Sequence, residues 1–502
     1  MKRIIPVFIF ALIVSQFRSQ GYDIKINFKG AKDSVMYLWH YSFDKFTPMD
    51  TCNKIVKGNV FFKGRKALPK GVYCLVSQEK AKYFDIFVNE CSKITITTDA
   101  VDILTNLKSP DCKENQEHFS YGYFFPKKNI EFEAYRKQTK GKSSADSLKF
   151  MAEKIKILND DLIKFDAEYA KNHQGSFIND VMNLKTEREV KEMPRMKNAA
   201  DSNLYRYMYY KQHYWDGVNF NDDRLLRAPY FGDKFKKYFE KVVLLSPDTV
   251  IAEIDKIMSK LKPGSDMHSF LLSKFTIDYE NSKIMGFDKV FCHMGDVYLR
   301  TGQGKGVWED AVVKKILDRI DILKPLLLDN PAPDLIMVDT VNSKAVLKMG
   351  FDSAKTSDGL QKVYNLNADK LLPLYTTLHS VKAKYTVLVF WDVDCSHCQS
   401  EMPKLVETYR EMRKKYDVKI YSVYTVHDYE KYRKYIIEHK LDFINVWDPV
   451  HINNVKDKYD IYSTPVIYLL DKNKIIKAKR LSQEQIPEII KNLEDTEKKS
   501  GK

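Results

Sequence analysis

Two cysteines separated by two residues lie near the end of the chain, in the segment WDVDCSHCQSEMP. This spacing lets Cys395 and Cys398 form a disulfide across the first turn of a helix. A helix N-terminus offers free N–H groups and a positive dipole end, which stabilise a thiolate at the first cysteine. Such a thiolate attacks a disulfide, and the second cysteine resolves the mixed disulfide. The pair therefore predicts thiol–disulfide exchange, with Cys395 attacking and Cys398 resolving.

Other uses of a Cys-x-x-Cys pair fit this sequence less well. A structural zinc site needs four ligands, and no second pair or Cys/His cluster accompanies this one. Haem attachment needs a histidine directly after the second cysteine, where Gln399 stands. His397, between the cysteines, has two interpretations. A cationic imidazole there would favour thiolate over disulfide and raise the reduction potential, and simple solvent exposure is the alternative.

The elements around the pair predict an α/β domain. The apolar run over residues 385–391 is typical of a buried central strand. The remaining elements are a helix over 397–415, a strand over 418–426, a helix over 429–440, a hairpin of strands 465–471 and 475–481, and a helix over 483–494. This β-α-β-α-β-β-α order is that of a thioredoxin domain.

The segment around the cysteines resembles the TlpA/ResA-like branch of the thioredoxin superfamily, through Trp391, the Cys-x-x-Cys pair and the following Glu-x-Pro. YSTPVIYLLD is similar to that family's cis-proline segment. The resemblance implies that Thr464 and Pro465 lie beside the sulfurs and, with Trp391, bind substrate. It also implies that Glu401 is a buried acid that tunes the thiols; an ordinary helix-surface glutamate is the alternative. Thioredoxin's buried aspartate, six residues before the first cysteine, is Val389 here, so proton handling must differ.

The rest of the chain predicts two further domains, which makes this a multidomain protein. Six short strand-like segments between Tyr22 and Asp99, separated by glycines, predict an antiparallel β domain over 21–114. A helical period over 115–328 predicts an all-α domain whose best element is Ser144 to Asn172. Pro331 and Pro333 end this pattern and begin a thioredoxin-like α/β domain over 329–502. The first two domains resemble modules of unknown function that precede such oxidoreductases.

Within the all-α domain, the aromatic-rich stretch over residues 205–220 has two interpretations. Its aromatic and basic side chains could stack on a ligand or on nucleic acid. Packing of an aromatic helix on its neighbours is the alternative.

Five more cysteines complete the total of seven. In an oxidising compartment, one or two structural disulfides could form among Cys52, Cys74, Cys91 and Cys112. Equally, Cys74 and Cys91 lie in apolar strand-like runs, where buried thiols are common. Both interpretations stay open, and Cys292 has no obvious partner.

The first 20 residues predict a secretory signal peptide. Lys2 and Arg3 precede an apolar run over 4–14, too short to span a bilayer, and a polar stretch over 15–20 follows. No cysteine lies near the expected cleavage site, so a lipoprotein is disfavoured. The net charge of +15 comes from scattered basic residues without a nucleic-acid motif, so no nucleic-acid partner is expected. We expect a soluble periplasmic protein.

These observations predict an exported thiol–disulfide oxidoreductase that reduces or isomerises disulfides of periplasmic proteins, including cysteines awaiting haem in cytochrome c maturation. No metal or organic cofactor is implied. Electrons would come from a membrane or periplasmic redox partner, and a homodimer is a further hypothesis. Two alternatives remain: a disulfide-forming oxidase, which His397 mildly favours, and a non-catalytic scaffold with a structural Cys-x-x-Cys disulfide.

Overall fold

A computed structural model describes residues 21–141, 143–188, 190, 192–354, 356–499 and 501. The predicted signal peptide, residues 1–20, lies outside this described part. The chain divides into two compact units: Met1–Leu244 with Lys260–Met267, and Leu245–Ser259 with His268–Lys502. The three domain boundaries expected from sequence stay predictions. Among the described residues, no helix combines the length and apolar character needed to cross a membrane.

The first unit begins with two β-sheets that share one hydrophobic core. The strands are β1 (Tyr22–Lys29), β2 (Met36–Ser42), β3 (Lys45–Cys52), β4 (Asn59–Gly64), β5 (Gly71–Val76), β6 (Lys82–Val88) and β7 (Lys93–Asp99). One sheet has the order β4-β1-β7 and the other β3-β2-β5-β6. Ile24 of the first sheet and Leu38 of the second are fully buried in the common core. The predicted antiparallel arrangement holds for every pair except β1 with β7, which is parallel.

Seven α-helices follow the sheets in the described part of the first unit. They are α1 (Ile103–Asn106), α2 (Lys113–Gly122), α3 (Phe124–Lys137), α4 (Ser144–Asn172), α5 (Phe177–Lys185), α6 (Ala199–His213) and α7 (Phe231–Lys237). The predicted long helix is confirmed as α4, and Phe124 of α3 stacks on its Phe165 at 4.0 Å. In the aromatic-rich stretch, Tyr214 and Trp215 are buried against Tyr238. These two rings agree with the packing interpretation, whereas α6 itself, which carries the first part of the stretch, has no buried residue.

The four cysteines of the first unit form one disulfide and leave two free thiols. Cys91 and Cys112 form the disulfide, and Cys52 and Cys74 are buried thiols. The buried-thiol interpretation is therefore right for Cys74 and wrong for Cys91, because Cys112 lies within bonding distance at the start of α2. Cys292, in the second unit, is a buried free thiol.

Among the described residues, the second unit contains ten α-helices, of which α9 begins two residues before the unit does, and a seven-stranded sheet. The helices are α8 (Pro247–Met258), α9 (Asp266–Glu280), α10 (Asp288–His293), α11 (Asp310–Leu323), α12 (Ser343–Val346), α13 (Ser357–Leu371), α14 (Ser396–Met412), α15 (Tyr429–His439), α16 (Val455–Lys458) and α17 (Gln485–Lys499). The strands are β8 (Ile336–Asp339), β9 (Tyr375–Thr377), β10 (Tyr385–Trp391), β11 (Val418–Tyr424), β12 (Ile444–Trp447), β13 (Val466–Leu470) and β14 (Ile476–Lys479). The sheet order is β14-β13-β10-β11-β12-β8-β9.

Strand β10 is the centre of this sheet and explains the apolar run in the sequence. It pairs in parallel with β11 and antiparallel with β13. Val387, Val389 and Trp391 face a core that includes α14. Leu388 and Phe390 face a second core on the other side of the sheet. A strand covered on both faces has no solvent-facing side, so the residues of β10 from Val387 to Trp391 are all apolar.

Candidate functional site

The sheet brings the two sequence motifs of the predicted site together. β10 ends at Trp391, and its antiparallel neighbour β13 begins at Val466, with Phe390 paired to Val466. The chain that leaves β10 therefore emerges beside the chain that enters β13. Cys395 and Pro465 lie on these two connections, 70 residues apart in sequence, and meet at one edge of the sheet.

The loop after β10 places Cys395 at the N-cap position of α14 and Cys398 in its first turn. The side-chain amide of Gln399 donates to the Val393 carbonyl at 2.9 Å and ties the loop to the helix. Cys395 is partly exposed, whereas Cys398 is buried in the core. The predicted strand–turn–helix context of the pair is confirmed, and only the first sulfur is reachable from solvent.

The pKa of the Cys395 thiol lies below its ordinary value. Partial burial raises this pKa, but the Thr464 side chain, the Cys398 side chain and the first-turn N–H groups of Cys398 and His397 together lower it further. These N–H groups lie at the N-terminus of α14, where the positive end of the helix dipole also stabilises a thiolate. The local structure favours a thiolate at this position.

The pKa of the Cys398 thiol is raised to about 11. Burial is the main cause, and the neighbouring Cys395 raises it further, whereas the Thr464 side chain and the Asp392 backbone N–H act in the opposite direction. Two sulfurs in one turn thus ionise over different pH ranges, since one reaches solvent and the other does not.

Thr464 and Pro465 lie beside the sulfurs, as the resemblance implies. The Thr464–Pro465 peptide bond is cis, and both residues are partly exposed. Cys395 Sγ donates to the Thr464 carbonyl oxygen at 3.2 Å. The Thr464 side chain is close enough to lower the pKa of both thiols. Their predicted role in substrate binding stays a prediction.

Glu401 is not the buried acid that the resemblance implies. Its side chain is 31% exposed and forms an ion pair with Lys404 Nζ at 2.8 Å. The residue lies in the second turn of α14, on the helix face where Lys404 reaches it. The helix-surface interpretation therefore describes its position.

His397 is exposed in the first turn of α14. It influences Cys395 through its backbone N–H, a contribution that any residue except proline would make. A catalytic part for the imidazole stays a prediction.

The prediction that Trp391 binds substrate is wrong, because its side chain is fully buried. The indole Nε1 donates to Ser422 Oγ at 2.7 Å, and the ring packs against Tyr424 and Tyr435. As the last residue of β10, Trp391 faces the core beneath the Cys-x-x-Cys turn. It supports the site from below and has no surface to offer a partner.

Comparisons with known proteins match three segments of the chain to protein families. Residues 365–479 match the AhpC/TSA family, residues 22–157 a domain of unknown function, DUF4369, and residues 166–320 another, DUF5106. No curated protein matches the chain. A solved domain of a possible thiol-disulfide isomerase from Cytophaga hutchinsonii is 34% identical, covering 35% of this chain and 99% of that domain, with a TM-score of 0.28. This chain belongs to the thioredoxin-like superfamily.

Two further solved structures are similar to the chain at lower identity. A thioredoxin-like protein from Bacteroides caccae is 18% identical, covering 61% of this chain and 97% of its own, with a TM-score of 0.42. A thiol:disulfide interchange protein from a Bacteroides species is 25% identical, covering 33% and 88%, with a TM-score of 0.24.

Sequence reasoning missed one polar group beneath the thioredoxin-like site, the hydroxyl of Tyr435. This hydroxyl is buried and has no hydrogen-bond partner among the described residues. Its pKa is raised by burial and by the nearby Cys398. The tyrosine-rich composition of α15 was visible in the sequence, but the register that turns Tyr435 towards the core was not.

The described residues contain no group of three or more histidine, cysteine, aspartate or glutamate side chains that could hold a metal ion. The reactive groups of this candidate site are therefore the sulfurs of Cys395 and Cys398 with their hydrogen-bond partners.

Proposed function

We propose that this protein reduces or isomerises disulfide bonds of other exported proteins through Cys395 and Cys398. The observation that carries the proposal is the unequal ionisation of the two thiols. The pKa of Cys395 is lowered at a partly exposed sulfur, and the pKa of Cys398 is raised to about 11 at a buried one. A thiolate that substrate can reach, backed by a thiol that it cannot, is the arrangement that two-step exchange needs.

In the first step, the Cys395 thiolate attacks one sulfur of a substrate disulfide. The new S–S bond joins Cys395 to the substrate, and the other substrate sulfur leaves as a thiolate that takes up a proton. In the second step, Cys398 loses its proton and attacks Cys395 Sγ. The bond between Cys395 and the substrate breaks, a Cys395–Cys398 disulfide forms, and the substrate sulfur takes up a proton. The substrate has then gained two electrons and leaves as a dithiol, and the enzyme has lost two.

The electrostatics of the pair support this order of steps. The neighbouring Cys395 raises the pKa of Cys398 while both sulfurs are reduced. In the mixed disulfide, Cys395 no longer carries a negative charge, so this contribution vanishes and the pKa of Cys398 falls. Cys398 thus becomes more reactive only after substrate has been captured.

Export is part of the proposal and rests on two features. One is the charged, apolar, polar order of residues 1–20. The other is the Cys91–Cys112 disulfide, because structural disulfides persist in oxidising compartments. Substrates in the periplasm, including cysteines awaiting haem, and a membrane or periplasmic dithiol donor that restores Cys395 and Cys398 complete the scheme. The exposed imidazole of His397 gives the oxidase alternative little support.

Insulin reduction with dithiothreitol as electron donor tests the proposal. We expect the wild-type chain to reduce insulin, Cys395→Ser to be inactive, and Cys398→Ser to accumulate a mixed disulfide through Cys395. Cys292→Ser, which changes a buried free thiol elsewhere in the same unit, is the control. Activity that survives Cys395→Ser would sink the proposal. Equilibration with glutathione gives the reduction potential of the Cys395–Cys398 pair. A value near that of DsbA would show that the pair oxidises its substrates and would favour the disulfide-forming oxidase.

A further inference from the structure

A groove opens beside the cis-proline loop, and its far wall is built by helices outside the thioredoxin-like elements. Its volume is about 510 Å³, within the range of ordinary ligand sites. One wall is the segment 282–288, between α9 and α10, together with Arg319 of α11. The opposite wall comes from residues 460–466 before and within β13 and from residues 479–481 after β14.

This groove is lined by the two residues that flank Thr464 in the sequence. Ser463 and Pro465 line it, and Thr464, between them, accepts the hydrogen bond from Cys395 Sγ at 3.2 Å.

Buried charged side chains line the groove. Asp460 is only 1% exposed, and its Oδ2 accepts from Arg480 Nη2 at 2.8 Å. Its Oδ1 faces Arg319 Nε at 3.6 Å, so these two buried groups form an ion pair with each other. Buried polar atoms without partners are uncommon and costly. At the other wall, Oδ1 of Asp288 is buried and has no hydrogen-bond partner among the described residues, so the groove calls for a ligand with hydrogen-bond donors.

Positive charge predominates at the groove. Lys479 is buried and neutralised by Asp288. Arg480 is half-exposed and uses one of its N–H donors on Asp460. Lys283 is exposed and forms no ion pair with any residue that the structure describes. The lining cations, including Arg319, outnumber the carboxylates even when Glu280, which pairs with Arg319 at 2.7 Å, is included.

An exposed aromatic ring stands at the same place. Tyr462 is 75% exposed, two residues before Thr464, and the Arg319 guanidinium lies 5.6 Å from its ring centre. Large aromatic side chains left in solvent beside polar groups are typical of protein-binding surfaces.

We propose that this groove binds an extended segment of the substrate polypeptide, next to its disulfide, and selects segments that carry an acidic side chain. A peptide N–H group supplies the donor that Asp288 Oδ1 lacks. An acidic side chain pairs with Arg480 and Lys283. The proposal rests on the proposed function and names its substrate class.

A binding experiment without redox chemistry tests the groove. The full chain with Cys395→Ser and Cys398→Ser is titrated against two fluorescein-labelled ten-residue peptides that differ only in glutamate or lysine beside a central serine. We expect the glutamate peptide to bind about threefold to tenfold more tightly, from one charge-assisted contact. Arg480→Glu removes this preference, and Tyr462→Ala weakens binding of both peptides.

Two further variants keep the test decisive. Arg410→Glu makes the same charge change on an exposed arginine of α14 that does not line the groove, and it leaves the preference intact. Because Arg480 pairs with the buried Asp460, Arg480→Glu also changes the surroundings of that carboxylate. Lys283→Glu changes an exposed cation that has no such pair, and it weakens the preference for the glutamate peptide. Equal affinity for the two peptides, or an Arg480→Glu variant that binds like the parent, overturns the inference.

The outcome is separable from that of the proposed function. If the wild-type chain showed no Cys395-dependent insulin reduction, the proposed function would fail. The peptide titration would still give its own answer, because the titrated chain has no reactive sulfurs. In the active chain, Arg480→Glu raises the KM for an acidic peptide disulfide, whereas Arg410→Glu leaves this KM unchanged. A groove that takes glutathione disulfide, with the same dependence on Arg480, in place of the peptides would refute the polypeptide assignment.

Discussion

Cys395 Sγ donates to the carbonyl oxygen of Thr464 across 3.2 Å, and the side chain of the same threonine lowers the pKa of both thiols. One residue of the cis-proline loop therefore serves the two protonation states of the nucleophile. Its carbonyl accepts from the thiol, and its hydroxyl favours the thiolate. The loop is part of the ionisation machinery as well as a candidate for substrate binding.

Replacing Thr464 by valine should make Cys395 less acidic. Valine keeps the branched shape and removes the hydroxyl, so the pKa of Cys395 rises. Because alkylation proceeds through the thiolate, the midpoint of the rate against pH moves to higher pH, and the rate at pH 7 falls about threefold to tenfold. Iodoacetamide labelling followed by mass spectrometry measures this. Ser463→Ala, at the adjacent exposed residue, is the matched control, and an unmoved midpoint for Thr464→Val would contradict the assignment.

Replacing Glu401 by glutamine should leave both exchange steps nearly unchanged. The carboxylate is partly exposed and paired with Lys404, so it is not placed to carry protons for Cys398. We expect rates within about twofold of wild type between pH 6 and 9, by stopped-flow reduction of a peptide disulfide. Lys404→Met, which breaks the same ion pair from the other side, is the control. A tenfold slower second step, with one limb of the pH profile missing, would restore the role that the family resemblance implies.

The core of the site could be predicted from sequence because its signals are local. The apolar run of β10 and the Cys-x-x-Cys spacing together placed Cys395 at a strand-to-helix turn, which the structure confirms. Short or polar elements carry no such signal. β3 is almost wholly exposed and contains Pro48, so it lacks the alternation of a half-buried strand. β12 has only four residues.

The errors in the site have a different cause. Trp391 and Glu401 were assigned by analogy of position, but burial depends on which face of a strand or helix meets the core. Trp391 points to Ser422 on the neighbouring strand, and Glu401 points to Lys404. The groove was beyond prediction, since Arg319 and Asp460 are 141 residues apart and only the tertiary fold brings them together.

Removing the Ser422 hydroxyl should destabilise the protein and spare catalysis. Ser422→Ala leaves the buried Trp391 Nε1 without its acceptor, and an unmatched buried donor costs about 1–3 kcal/mol. Urea unfolding of the second unit measures this loss. Trp391→Phe combined with Ser422→Ala removes both partners and recovers part of it. A raised KM for peptide disulfides in Trp391→Phe, with unchanged stability, would instead support the substrate contact that burial rules out.

The Cys91–Cys112 disulfide should stabilise the first unit independently of the redox site. It closes a loop across 21 residues, and the loss of chain entropy in the unfolded state corresponds to about 3 kcal/mol. Cys91→Ser with Cys112→Ser should therefore lower the urea midpoint of the first unit, followed by amide exchange in β1 and β7. Dithiothreitol should lower the wild-type midpoint by a similar amount and leave the double variant unchanged.

Cys74→Ala, at a buried free thiol in the same unit, separates loss of the cross-link from loss of packing, because its effect is the same with and without reductant. Equal midpoints for wild type and double variant under oxidising conditions would show that the disulfide does not stabilise this unit, and would remove one of the two supports for export.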